Sequence, residues 1–160
     1  MNKIKTAQIT TGIGGEYQSS IHIHNYLVSK GIRDSVIKAN PDKMFSFKFF
    51  DEGLLSKRFL TRIKIESDNI DIIFLHCYYN FSWILVLLYL KIILHKKTII
   101  FFRGPQGKNN LFRKAYFNIR RFFLLNFAIL LGNRIVFLTN NQMHIYSKIC
   151  LFNYLFKKNL

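Results

Sequence analysis

Short apolar runs alternate with longer segments of helical periodicity along most of this sequence. The clearest runs are DIIFLHC at 71–77, TIIFF at 98–102 and RIVFL at 134–138. Near-continuous apolar runs of this length are typical of parallel strands that are buried on both faces. Parallel strands need crossover connections, and the amphipathic segments between the runs fit crossover helices. The pattern predicts an α/β domain with an open, doubly wound parallel sheet over residues 1–150, followed by a tail at 151–160.

The same alternation of apolar runs and amphipathic segments predicts the position of each strand, helix and connecting loop. Strands are predicted at 5–10, 34–39, 71–77, 98–102 and 134–138, and helices at 16–30, 54–65, 81–94, 111–131 and 140–149. The carboxyl ends of parallel strands meet at one edge of the sheet, and ligands of such sheets bind there. We therefore expect the loops at 12–16, 76–82, 103–108 and 139–141 to share one rim.

Charge is distributed unevenly along the chain, whose formal net charge is +16. All eight acidic residues lie at or before Asp71, whereas residues 81–160 hold 13 of the 24 Lys and Arg residues. A region of one sign favours an anionic partner: nucleic acid, a membrane surface or a phosphorylated substrate. A compositional bias toward Lys is the alternative. The sequence contains no recognised nucleic-acid-binding motif, so nucleic acid is not an expected partner.

Cysteines and long apolar segments limit the class of protein. Two lone cysteines, Cys77 and Cys150, predict a reducing compartment with neither a disulfide framework nor a metal site. The first 15 residues lack the apolar core of a secretion signal. Charged and polar residues interrupt the apolar segments 81–95 and 122–139, which are therefore predicted to be core helices rather than membrane spans. Association with a membrane surface is the more plausible membrane role.

The helix predicted at 111–131 carries two patterns. Phe112, Tyr116, Ile119 and Phe123 follow the spacing of a buried helical face. A flank of the same helix carries basic residues interleaved with Phe117 and Leu124; they are Arg113, Lys114, Arg120 and Arg121. Such a flank is typical of helices that lie on anionic lipid, and a solvated charged face is the alternative. We expect the four basic residues to bind a membrane or another anion.

Three positions on the predicted rim could carry chemistry. The loop at 12–15 reads GIGG, and its glycines allow a phosphate to approach the first turn of the following helix. Its spacing matches neither the dinucleotide nor the P-loop fingerprint, so a plain turn explains it as well. His76 ends a buried strand, where it could act as a base, bind substrate or merely cap the sheet. Arg103 follows the strand at 98–102, where a guanidinium suits phosphate or carboxylate or is simply solvated on a turn.

Four stretches in order resemble the N-terminal half of a family-four glycosyltransferase, a retaining enzyme with the GT-B fold. They are GIGGEYQSSIHIHNYLVSKGIRDSVI, DIIFLHCYYNFSWILVLLYLKI, KKTIIFFRGPQG and GNRIVFLTNNQM. The likeness covers roughly residues 8–150 and implies a Rossmann-like domain. It also implies transfer of a sugar from a nucleotide-sugar donor to a cell-surface polysaccharide or a lipid-linked glycan. The resemblance implies no metal or other cofactor.

The resemblance assigns roles by position. Gly14 and Gly15 would approach the donor diphosphate or the acceptor, with Glu16, Gly104 and Thr139 binding on the same rim. His76 matches the family's histidine, with Cys77 in place of the following glycine. Arg103 falls near the reaction centre, so both His76 and Arg103 are candidate catalytic residues. Asn141 replaces the glutamate that the family has at this position.

The family's second domain holds most of the nucleotide-sugar and carries a pair of glutamates. The present sequence has no acidic residue after Asp71 and so cannot contain that pair. We therefore expect a truncated gene product, half of a split enzyme with a separately encoded C-terminal domain, or a stand-alone domain, inactive by itself. The expected location is cytoplasmic, at the inner face of the cell membrane. The alternative function is a non-catalytic basic module that binds anionic membrane or phosphorylated ligands.

Overall fold

A computed structural model describes residues 4–10, 14–39, 57–78, 81–102, 111–137, 139–152 and 158. Its sheet has five strands, all parallel, in the order β2-β1-β3-β4-β5. The strands are β1 (Lys5–Thr10), β2 (Arg33–Lys38), β3 (Ile72–Tyr78), β4 (Lys97–Phe102) and β5 (Arg134–Phe137). The predicted α/β class and the open, doubly wound parallel sheet are confirmed.

The helices alternate with the strands as predicted. They are α1 (Gly14–Ser29), α2 (Lys57–Ser67), α3 (Phe81–Leu88), α4 (Leu111–Leu131) and α5 (Asn140–Ser147). The segment predicted as one regular helix over 81–94 changes character after Leu88, because Tyr89–Ile93 forms a π-helical turn. Strands β2 and β3 lie on opposite sides of β1, so right-handed crossovers place α1 on one face of the sheet and the later crossover helices on the other.

The two faces of the sheet differ in chemistry because side chains alternate along each strand. The apolar face packs against α3 and α4 and forms the core. Its fully buried strand residues are Ala7, Ile9, Ile37, Ile73, Leu75, Ile100, Phe102 and Ile135, and the helices add Trp83, Leu87, Leu90, Leu124, Leu125 and Ala128. The opposite face of β1 carries Thr6, Gln8 and Thr10, which are buried polar residues on the side that α1 covers.

Two predicted helix faces are wrong. On α4, Ile119 and Phe123 are exposed rather than buried, and Leu124, predicted on the basic flank, is fully buried. Apolar residues occur around most of this helix, so its spacing supports more than one face. Packing against the sheet selects Leu124, Leu125, Ala128 and Ile129 instead. On α1, the spacing of Tyr17, Ile21, His24 and Val28 predicts one apolar face, but Val28 is 50% exposed. The side chains of residues 111–117 lie outside the described part of the chain.

The apolar segment 81–95 is confirmed as largely core. Trp83, Val86 and Leu87 are fully buried beneath the sheet. Within the described ranges, no helix is both long enough and apolar enough to cross a bilayer.

Candidate ligand-binding site at the carboxyl edge

The strand order creates a topological switch point between β1 and β3. The chain leaves β1 toward α1 on one face and leaves β3 toward α3 on the other, so the two connections diverge. In open parallel sheets this divergence opens a crevice at the carboxyl edge, which is the usual ligand position. The N-terminus of α1 and the end of β3 flank the switch point. The next two strands, β4 and β5, end at the same edge.

Helix α1 begins at Gly14, four residues after the end of β1. The first-turn N–H groups of a helix lack helical acceptors and attract negative charge. Gly15 is exposed there and Glu16 is half-buried. The Glu16 carboxylate already offsets part of the positive end of the helix dipole. The first turn therefore combines N–H donors suited to a phosphate with a carboxylate suited to a sugar hydroxyl.

His76 lies at the carboxyl end of β3 and is fully buried. Its Nε2 lies 2.5 Å from Oε1 of Gln8 on the neighbouring strand β1, so Nε2 is the donor of this hydrogen bond. Its ring stacks on Phe101 of β4, with 4.4 Å between ring centroids and 12° between planes. These contacts fix both the tautomer and the orientation of the imidazole.

Further hydrogen bonds continue from Gln8 across the sheet, away from His76. The Gln8 amide donates through Nε2 to Oδ1 of Asp34 at 3.2 Å, and Thr6 Oγ1 donates to the same oxygen at 2.5 Å. The second oxygen of Asp34 lies 2.8 Å from Nδ1 of His24 on α1, and the Asp34 side chain is fully buried. A continuous polar chain therefore runs from His24 through Asp34 and Gln8 to His76, and we call it the polar relay.

The polar relay was missed in the sequence, although part of its signal is visible there. Thr6, Gln8 and Thr10 alternate with apolar residues in KTAQIT, which is unusual for a central strand buried on both faces. Because His24 falls on the apolar spacing of α1, the sequence predicts a buried histidine whose ring nitrogens have a hydrogen-bond partner. It is satisfied by Asp34, but more than a quarter of its side chain remains exposed.

The predicted site residues are only partly brought together. Gly14, Gly15, Glu16 and His76 flank the switch point, and Thr139 lies just after β5 at the same edge. Thr139 is also the N-cap of α5, because its Oγ1 accepts from the backbone N–H of Gln142 at 3.2 Å. Arg103 and Gly104 lie outside the described residues. The catalytic assignments of His76 and Arg103 stay predictions, and His76 has a structural role in the sheet in addition.

The four predicted anion-binding residues all fall on α4. The side chains of Arg113 and Lys114 are outside the described part of the chain, while Arg120 and Arg121 are half-buried. Arg121 hydrogen-bonds the buried Tyr146 of α5. Burial raises the pKa of Tyr146, and the charge and hydrogen bond of Arg121 act in the opposite direction. Arg121 therefore holds α5 against α4.

A cavity of about 270 Å³ lies at the opposite, amino edge of the sheet. Charged residues of both signs line it, including Lys5, Arg33, Asp34 and Glu66. Within the described ranges, no group of His, Cys, Asp and Glu is arranged to hold a metal ion. Because the cavity lies at the amino edge, it is distinct from the site at the carboxyl edge.

Comparison with known proteins identifies no family. No protein-family model matches the chain, and no curated protein sequence is significantly similar to it. The resemblance to a glycosyltransferase therefore rests on the four sequence stretches. The fold and the geometry of the carboxyl edge are the structural basis for assigning a function.

Proposed function

We propose that the chain is the acceptor-side domain of a sugar transferase. The complete enzyme moves a sugar from a nucleotide-sugar to a lipid-linked or cell-surface glycan. The observation that supports this most is the switch point between β1 and β3, flanked by the glycine-initiated N-terminus of α1. This position is where open parallel sheets bind phosphate-bearing ligands.

On this proposal each residue at the carboxyl edge has a separate role in binding the substrate. The first-turn N–H groups at Gly14 and Gly15 bind a diphosphate or the phosphate of a lipid-linked acceptor, and Glu16 accepts a hydrogen bond from a sugar hydroxyl. Arg103 compensates anionic charge at the end of β4. His76, which is fully buried and hydrogen-bonded to Gln8, holds the carboxyl end of β3 in position at the base of the crevice. Helix dipole and guanidinium supply the positive charge, so the proposal requires no metal or cofactor.

The proposal also predicts that the chain binds substrate without completing transfer. The family's paired glutamates have no counterpart after Asp71, where the sequence contains no acid. In the complete enzyme a second domain would supply them. We further propose that the chain acts at the anionic inner face of a cell membrane.

The second candidate function is a non-catalytic basic module that binds anionic membrane or phosphorylated ligands. One specific observation favours it. Several bulky apolar residues of α4 are exposed beside Arg120, on a region of the chain with no acidic residue. Both candidates place the chain on a membrane, but only the first requires a sugar-binding site at the carboxyl edge.

Isothermal titration calorimetry against a panel of nucleotide-sugars and a detergent-solubilised lipid-linked sugar diphosphate tests the first proposal. We expect at least one panel member to bind. Gly15→Asp weakens this binding by roughly tenfold, equivalent to about 1.4 kcal/mol, because it adds a second carboxylate to the first turn. Asn25→Asp on the exposed side of α1 is the matched control and leaves the affinity unchanged.

Two results would overturn the proposal. One is the absence of binding by any panel member to the folded chain, as judged by its cooperative unfolding. The other is an equal loss of affinity in Gly15→Asp and Asn25→Asp, which would place the ligand elsewhere. Vesicle binding that persists in either case would favour the non-catalytic module.

A further inference from the structure

Six bulky apolar side chains are exposed on the outer side of α3, its π-helical turn and α4. They are Leu85, Ile92, Ile119, Phe123, Phe127 and Leu130, each between 36% and 58% exposed. The four on α4 follow a spacing of about one helical turn and so form a single stripe. We call the six residues the outer apolar surface.

The stripe on α4 and the residues on α3 form one continuous surface. The Phe81 and Phe123 rings contact each other edge to face with 6.3 Å between centroids. Farther along, Lys91 Nζ donates to Oδ1 of Asn133 at 2.6 Å. Both pairs are separated by 42 positions in sequence, so α3 with its π-helical turn and α4 with the residues that follow it run in the same direction at a constant offset. The same offset places Leu85 level with Phe127.

The outer apolar surface is not needed for the core. The opposite side of α4 already fills the core with Leu124, Leu125 and Ala128, all fully buried. Exposed apolar area is unfavourable in water by about 25 cal/mol per Å². A contiguous apolar patch of this kind marks a docking surface.

The positive charge of residues 81–160 indicates what kind of partner binds the outer apolar surface. Arg120 lies on α4 beside Ile119, and the whole region 81–160 carries 13 basic residues without an acidic one. A second copy of the chain would bring the same positive charge against this surface, which opposes self-association. An anionic lipid surface offers both a negative potential and an apolar interior for the bulky side chains.

We propose that the outer apolar surface inserts into the headgroup region of an anionic bilayer, with α3 and α4 lying along the membrane plane. Both helices start at the carboxyl edge of the sheet, so this orientation brings that edge next to the lipid. A lipid-linked acceptor would then reach the switch point without leaving the membrane. The inference rests on the membrane location proposed above but not on sugar transfer.

Cosedimentation with phosphatidylcholine vesicles, with and without phosphatidylglycerol, tests the surface. We expect binding to the anionic vesicles and a loss of roughly tenfold or more in Phe123→Ser/Phe127→Ser. The matched control is Tyr26→Ser/Val28→Ser, which removes two side chains that are 62% and 50% exposed on α1, on the other face of the sheet. The control binds like the native chain. Arg120→Gln loses roughly fivefold, and only with anionic vesicles.

A second readout detects insertion directly. Tryptophan introduced by Phe127→Trp is expected to be quenched by brominated lipid, whereas tryptophan introduced by Val28→Trp is not. The native Trp83 is fully buried in the core and serves as the common background.

Several results would overturn the inference. They are retention of vesicle binding in Phe123→Ser/Phe127→Ser, quenching of Val28→Trp, or binding of an acidic protein or a second copy, but not lipid, through these residues. Nucleotide-sugar affinity is measured without vesicles and is expected to be unchanged by the surface variants. Failure of the membrane surface is therefore distinguishable from failure of the transferase proposal.

Discussion

Gly31 and Gly132 are required for different physical reasons. Gly31 ends α1 with a φ of +74°, a left-handed conformation, and a Cβ added there would meet open space. Gly132 follows α4, and a Cβ there would lie 2.6 Å from the Ala128 carbonyl oxygen and 2.8 Å from Cδ1 of Ile100. Backbone conformation selects the first glycine and close packing selects the second.

This difference predicts opposite responses to asparagine. Gly31→Ala is expected to cost about 1 kcal/mol of the free energy of unfolding, and Gly31→Asn less, because asparagine tolerates the left-handed region. Gly132→Ala is expected to cost about 1–3 kcal/mol through overpacking, and Gly132→Asn at least as much. Urea unfolding of the four variants measures the order. An asparagine that is better tolerated than alanine at position 132 would contradict the packing explanation.

Tyr146 predicts a pH dependence at the contact between α5 and α4. Burial raises the pKa of Tyr146 above its usual value of 10.0. Above that pH the unfolded chain ionises Tyr146 before the folded chain does, so this residue lowers the stability of the fold as pH rises. The difference in free energy of unfolding between the native chain and Tyr146→Phe is therefore constant near neutral pH and shifts against the native chain above pH 10. A difference that stays constant into the alkaline range would contradict the burial of this hydroxyl.

At the scale of elements, sequence patterns located the strands and helices but not all their faces. The apolar runs of β3, β4 and β5 stand out because strands buried on both faces need apolar residues throughout. Helix α4 has apolar residues around most of its circumference, so its periodicity does not identify the buried side. Contacts with the sheet, which are remote in sequence, make that choice.

Substitutions of two adjacent residues of α4 test which side of this helix is buried against the sheet. Leu124→Ala is expected to cost about 2–5 kcal/mol, because it leaves a cavity in the core. Phe123→Ser is expected to cost no more than about 1 kcal/mol, since the side chain is exposed and contacts mainly Phe81 and Phe122. Denaturant unfolding of the two variants decides between the faces. A larger loss in Phe123→Ser would restore the face that the sequence spacing favoured.

The polar relay could not be predicted because it depends on strand register. Gln8 reaches His76 on β3 and Asp34 on β2, residues that are 68 and 26 positions away in sequence. The pairing of Thr6 with Asp34 and of Gln8 with Phe74 sets these distances. A shift of one residue in either pairing would move the polar side chains to the apolar face.

At the scale of the whole molecule, the parallel sheet determines where a ligand can bind. The sequence predicted a shared rim, since all carboxyl ends of a parallel sheet lie at one edge. It did not predict that the switch point falls between β1 and β3, because strand order depends on which strands pair. The charge of residues 81–160 was visible in the sequence. The outer apolar surface could be recognised only once the structure showed which side chains of α4 are buried and which are exposed.

The most direct test of the central claim is the location of the bound ligand. A ¹⁵N-labelled chain titrated with the nucleotide-sugar or lipid-linked sugar diphosphate that binds in calorimetry gives this location by NMR. We predict shifts of the backbone amides of Gly15, Glu16 and Thr139 at the carboxyl edge, with Lys5, Arg33 and Asn69 at the opposite edge unchanged. Shifts centred on Lys5, Arg33 and Asn69 would contradict a carboxyl-edge sugar-transfer site.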